Sequence, residues 1–151
     1  LSRKKYCDRQ TAEMPPVGRF FEDIMESRVN QAVERKHSGR FNCAQAVACA
    51  YCDMAGADEE MMYRVAGAFG VGMGNMEGTC GALVGAGIVL GMAMNDRMAS
   101  MQAMRRVMTK FRSRNGSTCC KDLKGVETRC VLRECDDCVA DAAEFLEEEL
   151  G

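Results

Sequence analysis

Histidine is nearly absent from this sequence: His37 is the one imidazole in 151 residues. Without a second histidine and a positioned serine or acid, a hydrolytic triad finds no support. No histidine follows Cys135-Asp136-Asp137-Cys138, which excludes covalent haem attachment there. Proline is scarce too, with two residues. Runs of alternating β-branched residues are missing, so no secure strand is expected. The longest apolar run, Cys80 to Met94, has 15 residues, short of the roughly 20 needed to span a bilayer. A phosphate loop is excluded by the lack of a G-x-G-x-x-G fingerprint and of a following Lys-Ser/Thr. The formal charge of −2 offers no general attraction to nucleic acid or to anionic membranes. Residues 1–25 lack the charged-then-apolar build of a secretory signal. The chain begins Leu1-Ser2-Arg3, which leaves room for an upstream segment.

Cysteine, by contrast, is abundant: ten residues, far more than packing requires. Thiols at this density serve as disulfides, metal ligands or redox groups. Disulfide-dense scaffolds are small and poor in core, whereas this chain is 47% apolar. A reducing, cytoplasmic setting is therefore expected, with metal or redox chemistry for the thiols.

Helical periodicity runs through nearly the whole chain. Phe21, Ile24, Met25, Val29 and Ala32 recur at three- and four-residue steps between Phe20 and Lys36. Further helices are expected over 42–54, from Asp58 as a cap to Phe69, over 80–94, and from Asn95 or Asp96 to about Ser113. A glycine-rich connector, Gly70 to Gly78, separates the third from the fourth. A short helical turn should follow Ser117-Thr118 and stop at Gly125. The last helix is expected over 129–150, with Val131, Cys135, Cys138, Ala142 and Phe145 on its inner stripe. Residues 1–18, ending in Pro15-Pro16-Val17-Gly18, read as an extended arm. The expected architecture is all-α, a compact single-domain bundle of five or six helices over residues 19–151.

Three cysteines fall near helix starts. Cys80 lies in Gly78-Thr79-Cys80-Gly81, where unpaired N–H groups and the macrodipole favour a thiolate. Cys43 and Cys120 occupy similar places. Cys135 and Cys138 form the one C-x-x-C, with both sulfurs on an inner stripe and either able to serve as ligand. Zinc normally takes two such knuckles. Four thiolates from separate elements suit an iron–sulfur centre at least as well. Cys49 and Cys52 lie away from the main apolar stripe of their helix and read as packing residues.

The blocks Phe41-Asn42-Cys43-Ala44-Gln45-Ala46-Val47, Gly67 through Gly74, and Gly78 through Ala86 resemble the C-GCAxxG-C-C proteins, a family described as redox-active. Gly116 through Gly125 is similar to the family's third cysteine site, and Cys135 through Leu146 to its fourth. The resemblance implies that Cys43, Cys80, Cys120 and Cys135 are the functional thiols, with Cys119 and Cys138 as neighbours that could substitute. A related domain in split-Soret cytochromes is associated with a [2Fe–2S] cluster, so the resemblance implies that cofactor, in electron transfer or redox sensing. It implies no particular enzyme activity. A thiol–disulfide oxidoreductase with Cys80 as nucleophile and a structural zinc module are the alternative readings.

A redox protein of unknown identity is the expected partner. The methionine stripe Met94, Met98, Met101, Met104 and Met108 reads as core or helix interface rather than a Cu(I) site, and is a candidate homodimer face. Arg105, Arg106, Lys110, Arg112 and Arg114 oppose the acidic Glu144, Glu147, Glu148 and Glu149. These are expected to be two solvated faces, paired across a dimer at most, with docking of an acidic partner as the sharper option.

Overall fold

The structure, a computed structural model, describes residues 27–151. The expected arm over residues 1–18 and the start of the first expected helix lie outside these residues. Eight α-helices follow: α1 Val29–His37, α2 Cys43–Ala50, α3 Glu59–Val65, α4 Gly70–Met73, α5 Gly81–Met94, α6 Arg97–Asn115, α7 Cys120–Lys124 and α8 Cys135–Leu150. A 3₁₀ turn, Gly67–Phe69, joins α3 to α4. The expectation of five or six helices is exceeded because the turn expected after Ser117-Thr118 forms α7, a helix of its own, and α4 forms within the glycine-rich connector. Among the described residues there is no strand, only an isolated antiparallel bridge between Thr79 and Cys119.

The helix starts follow local chemistry. Asn42 accepts from the Gln45 amide at 2.8 Å while the Gln45 side chain accepts from the Asn42 amide at 3.0 Å. This reciprocal cap fixes Cys43 as the first residue of α2. Asp58 accepts from Met61 N–H, and Asp96 from Met98 and Ala99 N–H, as the sequence led one to expect.

The core centres on α2, buried along its whole length, and α5, which is apolar on every side. Small residues let these two backbones touch. A Cβ on Gly85 would lie 2.5 Å from the Ala44 carbonyl oxygen, so this contact admits no larger side chain. Helices α1, α6 and α8 close around the pair, contributing Val107, Phe111, Val139 and Leu146 to the interior. Met94, Met104 and Met108 pack against this core, whereas Met98 and Met101 face outward. The methionine stripe is thus half core and half surface.

The basic face of α6 is tied to α8 within the same chain. Arg106 pairs with Glu149 at 2.7 Å, Lys110 with Glu148 at 2.5 Å, and Arg114 with both Glu144 and Asp141 at 2.9 Å. Two solvated faces were expected; the helices instead lie side by side and their charges interlock. Asp141 is fully buried at this seam and also accepts from Arg133 at 2.9 Å and from Asn115 at 3.0 Å. No helix among the described residues is long and apolar enough to cross a membrane.

Candidate redox site

Four helix starts meet at one cavity of ≈ 140 Å³, and each brings a cysteine. Cys43 opens α2, Cys120 opens α7, Cys135 opens α8, and Cys80 is the N-cap residue of α5. Cys138, one turn into α8, lines the same space as a fifth thiol. The structure therefore brings together Cys43, Cys80, Cys120 and Cys135, and adds Cys138. All five carry free thiols. Cys119 does not line the cavity; its Sγ donates to the Glu77 and Met76 carbonyls at 3.6 and 3.8 Å. Cys49 is buried elsewhere, with its Sγ on the Glu59 carbonyl at 3.7 Å and its thiol pushed up to about 11 by burial. His37 ends α1 and pairs with Asp136 at 3.0 Å, also outside the cavity.

Backbone bonds hold the cavity's two loops in register. Cys80 N–H donates to Thr118 O at 2.8 Å, and Cys120 N–H donates to Gly78 O at 3.0 Å. These bonds flank the Thr79–Cys119 bridge and lock the Cys80 and Cys120 segments together. The connector before Cys80 is tightly folded. Val71, Met73 and Met76 all have positive φ, at 54°, 65° and 65°. For a β-branched residue such as Val71 this conformation is costly, on the order of 1–2 kcal/mol. Val71 N-terminal to this fold lines the cavity, and its carbonyl accepts from Met76 N–H at 2.8 Å. Gly72, at φ 54°, lies so close that a Cβ would stand 2.4 Å from the Cys120 Cβ.

The thiols interact in pairs. Cys135, hydrogen-bonded by the Cys43 thiol and facing the Lys124 ammonium, is held down to about 6 against the pull of its own burial. Its partner Cys43 is pushed far up by that same hydrogen bond, then by burial and by the Cys80 charge. In the second pair, the Cys138 thiol holds Cys80 below the usual thiol range; burial opposes this, and the Ala82 and Leu83 amides assist. Cys138 is raised by the same contact and by burial. Burial raises Cys120 as well, with Lys124 opposing. In each pair one sulfur is thus shifted toward the thiolate and the other away from it.

Three cations line the cavity: Lys36, Lys124 and Arg133. Burial pulls the Lys124 ammonium down, but the Cys135 and Cys120 charges more than offset it, and it ends raised. Arg133 is committed to Asp141 through two hydrogen bonds, at 2.9 and 3.1 Å. Among the described residues no carboxylate lines the cavity. Together with the α2, α5 and α8 N-termini, this makes the wall electropositive. Among the described residues no three cysteine, histidine or carboxylate groups converge closely enough to hold a single ion. The sulfurs surround a space rather than a point.

Comparison with known proteins gives the chain's family. The profile of a family described as "Putative redox-active protein (C_GCAxxG_C_C)" matches residues 41–149. The chain belongs to this family. The match spans α2 through nearly all of α8, so every cysteine at the cavity falls within it. No curated protein and no solved structure matches the chain.

Lys36 and Lys124 are the site residues that the sequence did not reveal. Lys36 lies outside the matched blocks and Lys124 inside the Gly116–Gly125 block without being singled out there, and they reach the cavity through the packing of α1 and α7 around it. The one local signal is the place of Lys124 immediately before the Gly125 stop of a cysteine-led helix.

Proposed function

We propose that this C-GCAxxG-C-C protein binds a [2Fe–2S] cluster and works in electron transfer or redox sensing in the cytoplasm. Cys43, Cys80, Cys120 and Cys135 are the proposed ligands. The observation that carries the reading is that four helix N-termini, each led by a cysteine, surround one cavity that no carboxylate among the described residues lines. Thiolates and sulfide are anionic, and positive helix ends, Lys36 and Lys124 offset that charge. A space ringed by sulfurs suits a core of several atoms better than one zinc ion, which needs its ligands to converge tetrahedrally.

When bound, the cluster supplies one-electron chemistry. The chain's residues do the rest. Cys138 donates a hydrogen bond to the Cys80 sulfur, and the Ala82 and Leu83 amides lie beside the same atom. Donors aimed at a ligand sulfur favour the more negative, reduced state. Lys124 acts similarly on the Cys135 side. Buried Asp141 fixes Arg133 at the cavity wall.

The test is anaerobic purification followed by a visible spectrum with iron and acid-labile sulfide assays on one sample. Visible bands with near-stoichiometric iron and sulfide are expected, and Cys80→Ser should lose them. A colourless protein after anaerobic reconstitution would overturn the reading.

A further inference from the structure

Val71 occupies a place that its backbone reserves for glycine. Its φ of 54° lies in the left-handed region, and Gly72, Met73 and Gly74 follow it there at 54°, 65° and 86°. Glycine reaches that region without steric cost, whereas a branched side chain is strained in it. The turn leaves residue 71 no freedom to relax. Val71 C=O accepts from Met76 N–H at 2.8 Å, Gly72 C=O from Gly78 N–H at 3.0 Å, and Gly70 C=O from Gly74 N–H at 2.9 Å. Gly72 is also pressed against Cys120, where a Cβ would stand 2.4 Å from the cysteine Cβ. Core packing does not explain the valine, because it is 42% exposed and lies outside the apolar core. What its side chain does border is the thiol cavity. Among the described residues that line the cavity, Val71 alone is exposed; the others are buried or half-buried. The half-buried ones besides Cys135 are Lys36, Asn42, Lys124 and Arg133, all polar. Val71 is thus the one hydrocarbon side chain at the mouth. A strained residue held in place beside a site points to a task for its side chain.

We propose that Val71 is the access-controlling residue of the thiol cavity: its isopropyl group stands at the mouth and keeps water and small reagents from the Cys120 and Cys80 sulfurs. Those two cysteines line the same cavity and are only 6% and 4% exposed. The left-handed turn is what aims the side chain, since an ordinary φ at residue 71 would redirect its Cα–Cβ bond. Strain and shielding are therefore two aspects of one arrangement. Replacing Val71 by glycine would suit the backbone and open the site, so the two effects run in opposite directions and can be told apart. This goes beyond the cluster reading, because it concerns access to the thiols whether or not a cluster is bound. With a cluster in place, the same side chain would exclude water from its sulfurs, a lever on both its potential and its lifetime.

The experiment uses the full chain, stripped with a chelator under reducing conditions, desalted, and checked for retained helicity. Alkylation by iodoacetamide is timed thiol by thiol, by peptide mapping, in the unsubstituted chain, in Val71→Gly and in Met76→Gly. Val71→Gly is expected to keep its urea midpoint while Cys120 and Cys80 react severalfold faster. Cys49, 1% exposed and away from the cavity, reports general loosening and should keep its rate. Met76 has φ 65° in the same loop but does not line the cavity, so Met76→Gly should leave all three rates alone. Unchanged Cys120 and Cys80 rates in Val71→Gly would overturn the proposal. An equal rise at Cys49, or the same rise in Met76→Gly, would overturn it too. Should the glycine variant fail to fold, Val71→Ile decides: it keeps the branched Cβ, adds bulk at the mouth, and should slow Cys120 and Cys80. In protein that loads iron and sulfide, Val71→Gly should also lose its visible bands sooner in air. A chain that never loads refutes the cluster reading, and the thiol rates still decide the role of Val71.

Discussion

Cys138 presents its thiol to the sulfur of Cys80, an almost fully buried pair in which the contact lowers the Cys80 thiol and raises that of Cys138. The donor is one helical turn beyond Cys135 and comes from a different helix than its acceptor. Removing it changes the surroundings of a proposed ligand without removing the ligand. Cys138→Ala is therefore expected to retain iron and sulfide while lowering the reduction potential. If reduction strengthens that hydrogen bond by about 1 kcal/mol, the drop is about 40 mV for one electron. Redox titration of the purified variant checks this, and loss of the cluster would instead make Cys138 a ligand.

Thiol reactivity should report the Cys43–Cys135 pair. Cys135 is held down to about 6 by the Cys43 thiol and by Lys124. In metal-free protein its alkylation by iodoacetamide should stay fast at neutral pH and fall as pH drops through about 6. Lys124→Met should move that inflection upward. The depression of Cys135 also adds stability that is full above the ordinary thiol range and fades as pH falls toward 6. Cys43, raised, works in the opposite sense, so the alkylation profile is the cleaner readout. A flat profile between pH 5 and 8, an interval of roughly the usual titration width, would contradict the pairing.

Asp141 accepts from Arg114, Arg133 and Asn115 while fully buried. Asp141→Asn leaves Arg133 without a carboxylate and Arg114 with Glu144 alone. Breaking one side of such a buried network costs about 3–5 kcal/mol. Urea denaturation should show that loss, and the Cys135–Cys138 end of the cavity should lose definition with it.

The α2–α5 contact gives a purely steric test. Gly85→Ala forces a methyl into the Ala44 carbonyl, where 2.5 Å is available. A destabilisation of about 1–3 kcal/mol is expected, read as a lower denaturation midpoint. Gly72→Ala presses on Cys120 itself. It should reduce iron and sulfide content more than it reduces stability.

Much of the architecture was legible because it is local. The Asp58 and Asp96 caps, the Gly125 stop and the unbroken apolar run of α5 are written within a few residues of where they act. The last helix was expected at Arg129 but begins at Cys135. There the chain folds back onto α7 instead: Leu132 and Arg133 N–H both donate to Leu123 O, and Arg129 has φ 58°. Val131, expected on the inner stripe, is consequently in this loop and 40% exposed. The turn α4 was hidden because glycines carry no periodicity. For the site, the positions of the cysteines near helix starts could be read from caps and glycines. Their pairing, and the approach of Lys36 and Lys124, could not, since both depend on which helices pack together.

The four helix starts at the cavity also impose an order on assembly. Cys43 and Cys135 are far apart along the chain, and α8 must dock against α1, α2, α5 and α6 before the ring of sulfurs exists. Closing so long a loop is slow compared with forming any single helix. Loading of the proposed cluster would then act as a proofreading signal: only a chain that has finished threading its final helix presents all four proposed ligands.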